Sequence, residues 1–254
     1  GFASLVFAGL LIDLLPALTG VPLGGRRALT TIFWSMALGA LGLVLGPWLG
    51  GNLAFTVSGL ILHITATIWL LLLLVRGLRK QGLFAAAGAW HLVLSYTWIL
   101  LPVLVAPLII LGLPGIPGAD VEATAPQALV YGWMLQFLYA LVPYSVARWL
   151  LRDRRASLGG NWLSLAGVNL GSLLIWASIF VLELRSELHA AGYILLGVSL
   201  AAAAWSAGTM ALTALRRAET QLETHPEMLV EMPSALNAET PVDMRGSPHP
   251  AQAA

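Results

Sequence analysis

Apolar residues in this chain gather into long, nearly unbroken runs. Seven are long enough to read as helices: roughly 2–19, 29–50, 54–75, 83–113, 127–147, 161–182 and 190–214. A hydrocarbon core of about 30 Å needs about 20 helical residues. The runs show no alternation every second residue, so helices are preferred to barrel strands. The pattern predicts an all-α fold, a polytopic membrane bundle of about seven transmembrane helices. The fourth run, Leu83 to Leu113, is too long for a straight crossing and contains Pro102 and Pro107, which predicts a tilt or kink. It ends at Leu113-Pro114-Gly115-Ile116-Pro117-Gly118, and the stretch from Pro114 to Pro126, carrying Asp120 and Glu122, reads as an outer loop.

Charge gives the bundle a direction. If the helices alternate, one side holds Arg26, Arg27, Arg76, Arg79, Lys80, Arg148, Arg152, Arg154, Arg155, Arg216 and Arg217, which is 11 of the 13 basic residues. The opposite side holds Arg185 alone, and Arg245 lies in the C-terminal stretch. Short loops with this bias face the cytoplasm, which predicts a bacterial-type plasma-membrane protein with a cytoplasmic C-terminus. The division expected is a transmembrane bundle over 1–217 and a disordered acidic cytoplasmic tail over 218–254, with six acidic residues against Arg245.

Composition agrees: the 254 residues are 58% hydrophobic and 10% charged, against about 25% charged in soluble domains. Topology accounts for the basic residues, so the partner expected is the lipid bilayer, and other membrane subunits, not nucleic acid. With no cysteine, disulfides, thiolate catalysis, iron–sulfur clusters and Cys-ligated zinc are excluded. The chain opens on Gly1, directly in apolar sequence, which reads as an N-terminally incomplete chain.

A weak four-helix internal repeat is also present. Pro16 and Pro143 are 127 residues apart; Arg26-Arg27 and Arg154-Arg155, Trp34 and Trp162, and Gly39 and Gly167 are each 128 apart. Duplication of a helix set is a familiar way to build membrane folds, although Arg pairs and interfacial Trp also recur in membrane proteins without it.

Polar groups at membrane depth are costly and mark candidate sites. His63 shares a stripe with Thr56, Gly59 and Thr67, and His91 has Ser95 one turn on. Counted from opposite ends of their helices, the two histidines lie about 13 Å and 12 Å from opposite surfaces, at similar depth. Such a pair could ligate a b-type haem. Packed helices about 8–10 Å apart would have to splay to admit one, and a neutral His bonded to Ser, Thr or a carbonyl serves packing equally. Asp13, the only carboxylate in a predicted span, reads as a proton-path group or a partner of Arg26 or Arg27. With Gln136 and Tyr139 it could form an intramembrane polar path. His189, beside Glu187, is read as an outer-loop residue. No nucleotide loop, nucleophile elbow or His-Glu-x-x-His run is present.

Gly1-Phe2, Gly9, Leu14-Leu15-Pro16 and Thr19-Gly20-Val21-Pro22-Leu23, continued by Phe33-Trp34 and Gly39, resemble a recurring segment of the haem–copper oxidase subunit I superfamily. The likeness is to its divergent, NnrS-like branches. Gln127 to Pro143, with Gly132-Trp133, resembles a second, worn copy. The resemblance implies helices in fourfold arcs, haem and copper, and respiratory electron transfer to oxygen or nitric oxide. The superfamily's ligand His would precede Gly1 in the first copy, and Ala123-Thr124-Ala125-Pro126-Gln127 holds none in the second. No catalytic residue is therefore carried over, and an oxidoreductase activity would lack its ligand residues in this segment. The competing readings are a multi-pass transporter or permease, and a cofactor-free structural subunit of a membrane complex.

Overall fold

The computed structural model describes residues 2–19, 22–80, 85–110, 114–151 and 156–224. Among the described residues there are helices and turns and no strand. Seven helical rods follow in order: α1 (Phe2–Thr19), α2 (Arg26–Trp48), α3 (Leu53–Lys80), α4 (Ala87–Ile110), α5 (Gly118–Leu150), α6 (Trp162–Ala177) and α7 (Arg185–Thr224). Each coincides with one of the apolar runs. Five stretches are long and apolar enough to cross a membrane: Arg26–Trp48, Leu53–Lys80, Ala87–Ala106, Gly118–Leu150 and Leu182–Thr220. The apolar part of α1, Leu5–Leu14, and α6 are shorter. At 1.5 Å per residue the 16 residues of α6 reach about 24 Å.

Three expectations are revised. The segment read as an outer loop is helical from Gly118, and α5 continues to Leu150 without an intervening loop. Pro117 and Gly118 mark a helix start here, with Asp120 in the first turn favoured by the helix dipole. His189 and Glu187 lie inside α7, not in a loop. That helix also continues past 217 to Thr224; residues 225–254 of the expected tail lie outside the described residues. Two π-helical turns, Val130–Leu135 and Val146–Leu150, interrupt α5, each beginning three or four residues after a proline, Pro126 and Pro143. Proline and π-turns are the usual seats of helix irregularity.

The polarity of the packing is inverted relative to a soluble protein. Large apolar side chains point outward, among them Trp48 at 85% exposure and Leu150 and Trp205 at 75%, while His91, Gln136, Ser164 and Ser172 are fully enclosed. An outward surface of this kind suits lipid, and the chain is described as a membrane-embedded helical bundle. Its interior centres on α4 and α5, with Leu92, Tyr96 and Phe137 packed among Leu11, Leu70 and Ile175 of the surrounding helices.

Helices in lipid gain little from hydrophobic association, so close backbone approach must hold them. The two most extensive contacts between helices have that form. In α2–α3, a Cβ added to Gly39 would lie 2.6 Å from the His63 backbone nitrogen and 2.8 Å from the Gly59 carbonyl oxygen. In α6–α7, a Cβ on Gly171 would lie 2.8 Å from the Gly192 carbonyl oxygen. The α2–α3 turn itself relies on Gly50 and Gly51, at φ 72° and 77°. Gly39→Ala is expected to cost about 1–3 kcal/mol, since backbone cannot give way as a side-chain tip can. Gly208→Ala, with nothing within 4 Å of the added carbon, should leave the thermal melting point in detergent unchanged. Equal melting points for the two variants would refute this packing.

Candidate functional site: a polar seam inside the bundle

His91 of α4 is fully buried, and its Nε2 lies 2.9 Å from Ser164 Oγ at the start of α6. Ser164 is fixed by a reciprocal cap: its N–H donates to Asn161 Oδ1 at 2.8 Å, and its Oγ accepts from the Asn161 N–H at 2.9 Å. Asn161 also donates from Nδ2 to the Ala202 carbonyl of α7 at 2.9 Å. The Ser164 hydroxyl has one proton, and the Asn161 carbonyl oxygen lies 2.8 Å away to receive it. His91 is then the donor, through Nε2–H. That tautomer leaves Nδ1, which has no partner among the described residues, as an unpaired acceptor and not as an orphaned N–H, the costlier alternative.

Glycine makes the cradle. Gly160, at φ 84°, lies so close that an added Cβ would fall 2.5 Å from His91 Cδ2 and 2.6 Å from Nε2. The Tyr139 ring of α5 meets the imidazole edge-to-face, with centroids 5.7 Å apart. From there the polar groups continue along the α4–α5–α6 seam. Trp98 Nε1 donates to Asn169 Oδ1 at 2.9 Å, and Asn169 Nδ2 donates to Gln136 Oε1 at 2.5 Å and to the Leu165 carbonyl at 2.8 Å. On the α7 side, Ser199 Oγ donates to the Ser164 carbonyl at 2.7 Å. The seam is only partly satisfied. Among the described residues, Gln136 Nε2, Trp133 Nε1 and Ser172 Oγ are buried without a hydrogen-bond partner, and the Tyr139 hydroxyl has only a loose interaction with Ser199. Unpaired buried donors of this density are uncommon and point to a polar ligand or water.

Of the residues singled out by sequence, His91, Tyr139 and Gln136 come together on this seam. Asp13 does not: it is exposed on α1, and no hydrogen bond links it to Gln136 or Tyr139 among the described residues. His63 lies on the α2–α3 contact, its Nδ1 3.3 Å from the Met36 carbonyl oxygen of α2. The two histidines are thus directed at different third helices, α2 and α6. A macrocycle between them needs rings that face each other across a gap, whereas the backbone contact at Gly39 closes the space beside His63. As placed, this pair does not fit a haem. Among the described residues no group of three or more His, Asp or Glu comes together as a metal site.

Sequence reasoning missed Asn169, Ser164 and Trp98. Asn169 could have been found, because with Gln136 it is one of few carboxamides deep in an apolar run. Compared with protein-family models, curated proteins and solved structures, the chain shows no significant match.

Gly160 and Gly115 separate strain from crowding, since both have positive φ but only Gly160 has neighbours within 4 Å. Gly115→Ala should cost about 1–2 kcal/mol for the left-handed backbone, and Gly160→Ala clearly more, because His91 must also move. Melting curves of the two variants check this; an equal loss would mean that His91 is not seated against Gly160.

Proposed function

We propose that this chain is a seven-crossing protein of a bacterial-type plasma membrane, built on the plan of haem–copper oxidase subunit I. Its basic loops and C-terminus face the cytoplasm. Its role is respiratory electron transfer to oxygen or nitric oxide in a complex with other membrane subunits. The observation that carries the reading is the pair of glycine-sealed hairpins. Gly39 sits in the α2–α3 contact and Gly167 in the α6–α7 contact, where an added Cβ would meet the Leu195 carbonyl oxygen at 3.0 Å. These two glycines are the ones 128 residues apart in sequence. A duplicated helix set supports the fourfold arcs that the resemblance implies.

Haem and electron transfer are implied by that resemblance for the whole protein. The described helices supply scaffold and a polar seam, and do not offer His63 and His91 as a ligand pair. What His91 does here is anchor α4 to the start of α6 through Ser164, and hold Tyr139 in place. A second reading, a multi-pass transporter or permease, is favoured by the unpaired polar atoms of the seam, which would suit a small polar solute.

An absorption spectrum of the whole protein, purified from membranes, decides between them. A Soret band with b-type features is expected, and it should survive His63→Gln, because that residue is engaged with Met36. A spectrum without such a band contradicts the haem reading, and saturable solute uptake into vesicles would then favour the transporter.

A further inference from the structure

Helices α5 and α7 run side by side, in one direction and one register, through the thickness of the bundle. Arg185 meets Asp120 at one end, and Tyr193 meets Gln127 two turns further in. At the other end Ala147 and Thr213 line a common notch of about 170 Å³. The paired positions differ by 65 or 66 throughout. From Asp120 to Ala147 is 27 residues, or about 40 Å at the helical rise. A bilayer is about 40–45 Å thick with its headgroup layers and about 30 Å without them. The notch therefore lies at headgroup level, on the side where the basic residues collect.

Its lining is polar: Arg217, Ser157, Thr209 and Thr213 all contribute. The two threonine hydroxyls donate to the backbone carbonyls of Ser206 and Thr209, which leaves Arg217 and Ser157 as donors to a ligand. By sequence, 148–157 and 209–219 hold Arg148, Arg152, Arg154, Arg155, Arg216 and Arg217 against Asp153 and Glu219, so the local field favours an anion. Beside the notch, Trp149 and Leu150 are 73% and 75% exposed. Nearer the midplane the same two helices leave an apolar surface at Leu138, Val142, Ala203 and Ala207. We infer that the notch seats the phosphate of an anionic phospholipid, held by the Arg217 guanidinium and the Ser157 hydroxyl. The volume suits a headgroup and is too small for a whole lipid. Continuity of a charged seat with apolar surface along one seam selects a lipid over a soluble phosphate. The inference requires only that the chain lie in a bilayer, and holds for either reading of its function.

Photolabelling of the full chain in phosphatidylcholine nanodiscs tests it. Two probes carry the same diazirine near the headgroup, one a phosphatidylglycerol and the other a phosphatidylcholine. The phosphatidylglycerol is expected to label peptides covering 144–151 and 206–217 about fivefold more strongly, the worth of one arginine near an anionic headgroup layer. Arg217→Gln, at an exposed position that leaves the fold intact, should bring it down to the phosphatidylcholine level. Arg217→Lys should retain the preference, and so should Arg76→Gln, which removes the same charge from α3, away from the notch. Equal labelling by the two probes, undiminished labelling of Arg217→Gln, or an equal loss in Arg76→Gln would overturn the proposal. Displacement of the probe by millimolar glycerol phosphate would overturn it in favour of a soluble phosphate. A preference that appears only once residues 225–254 are deleted would instead make the chain's own acidic C-terminal stretch the occupant.

Discussion

The contact of one backbone against another, at Gly39 with Gly59 and at Gly171 with Gly192, is the interaction on which this bundle rests. A chain in hydrocarbon must satisfy its amides internally and so becomes helical. Once helical, it finds no hydrophobic gain in pairing its rods, because lipid tails are as apolar as leucine. What remains is dispersion, which requires surfaces to meet closely. Removing the side chain at the meeting point achieves that, and the two hairpins so formed give the bundle its rigid ends, against which α4 and α5 pack.

The polar seam follows from this arrangement. With the hairpins sealed, the buried polar side chains in the middle of α4, α5 and α6 turn toward one another. His91 with Ser164, and Trp98 with Asn169 and Gln136, do so across about two turns of α4. Such bonds in membrane proteins contribute on average about 0.6 kcal/mol each, so they set register more than they hold the fold. The atoms left over at Gln136, Trp133 and Ser172 are therefore of greater functional interest than the bonds that are made. At the other end of α5, Arg185 Nη1 donates to Asp120 at 2.5 Å, and Tyr193 donates to Gln127 at 2.8 Å, tying α7 to the start of α5 away from the seam.

Much of the fold was legible because the bilayer acts on composition. Apolar run length located all seven helices. The start of α5 was misread because Pro and Gly are breakers in one context and helix starters in another. Only a partner 65 residues away, Arg185, shows that Asp120 sits on an ordered first turn. The site was half legible for a similar reason. His91, Gln136 and Tyr139 stand out as polar groups in apolar sequence, but their partners are set by which helices meet, and spacing does not encode that. His63 and His91 lie at similar counted depth, yet face different neighbours.

The most direct test of the account is the side of the membrane on which each connection lies, and the absence of native cysteine makes single-cysteine labelling clean. Cysteines at Asn52 and Ser186 should react with a membrane-impermeant maleimide in intact cells. Those at Arg79 and Ser157 should react only after permeabilisation, and one at Leu72, within α3, in neither condition. Reaction of Arg79 and Asn52 positions from the same side, or ready labelling at Leu72, would contradict a bundle threaded through lipid.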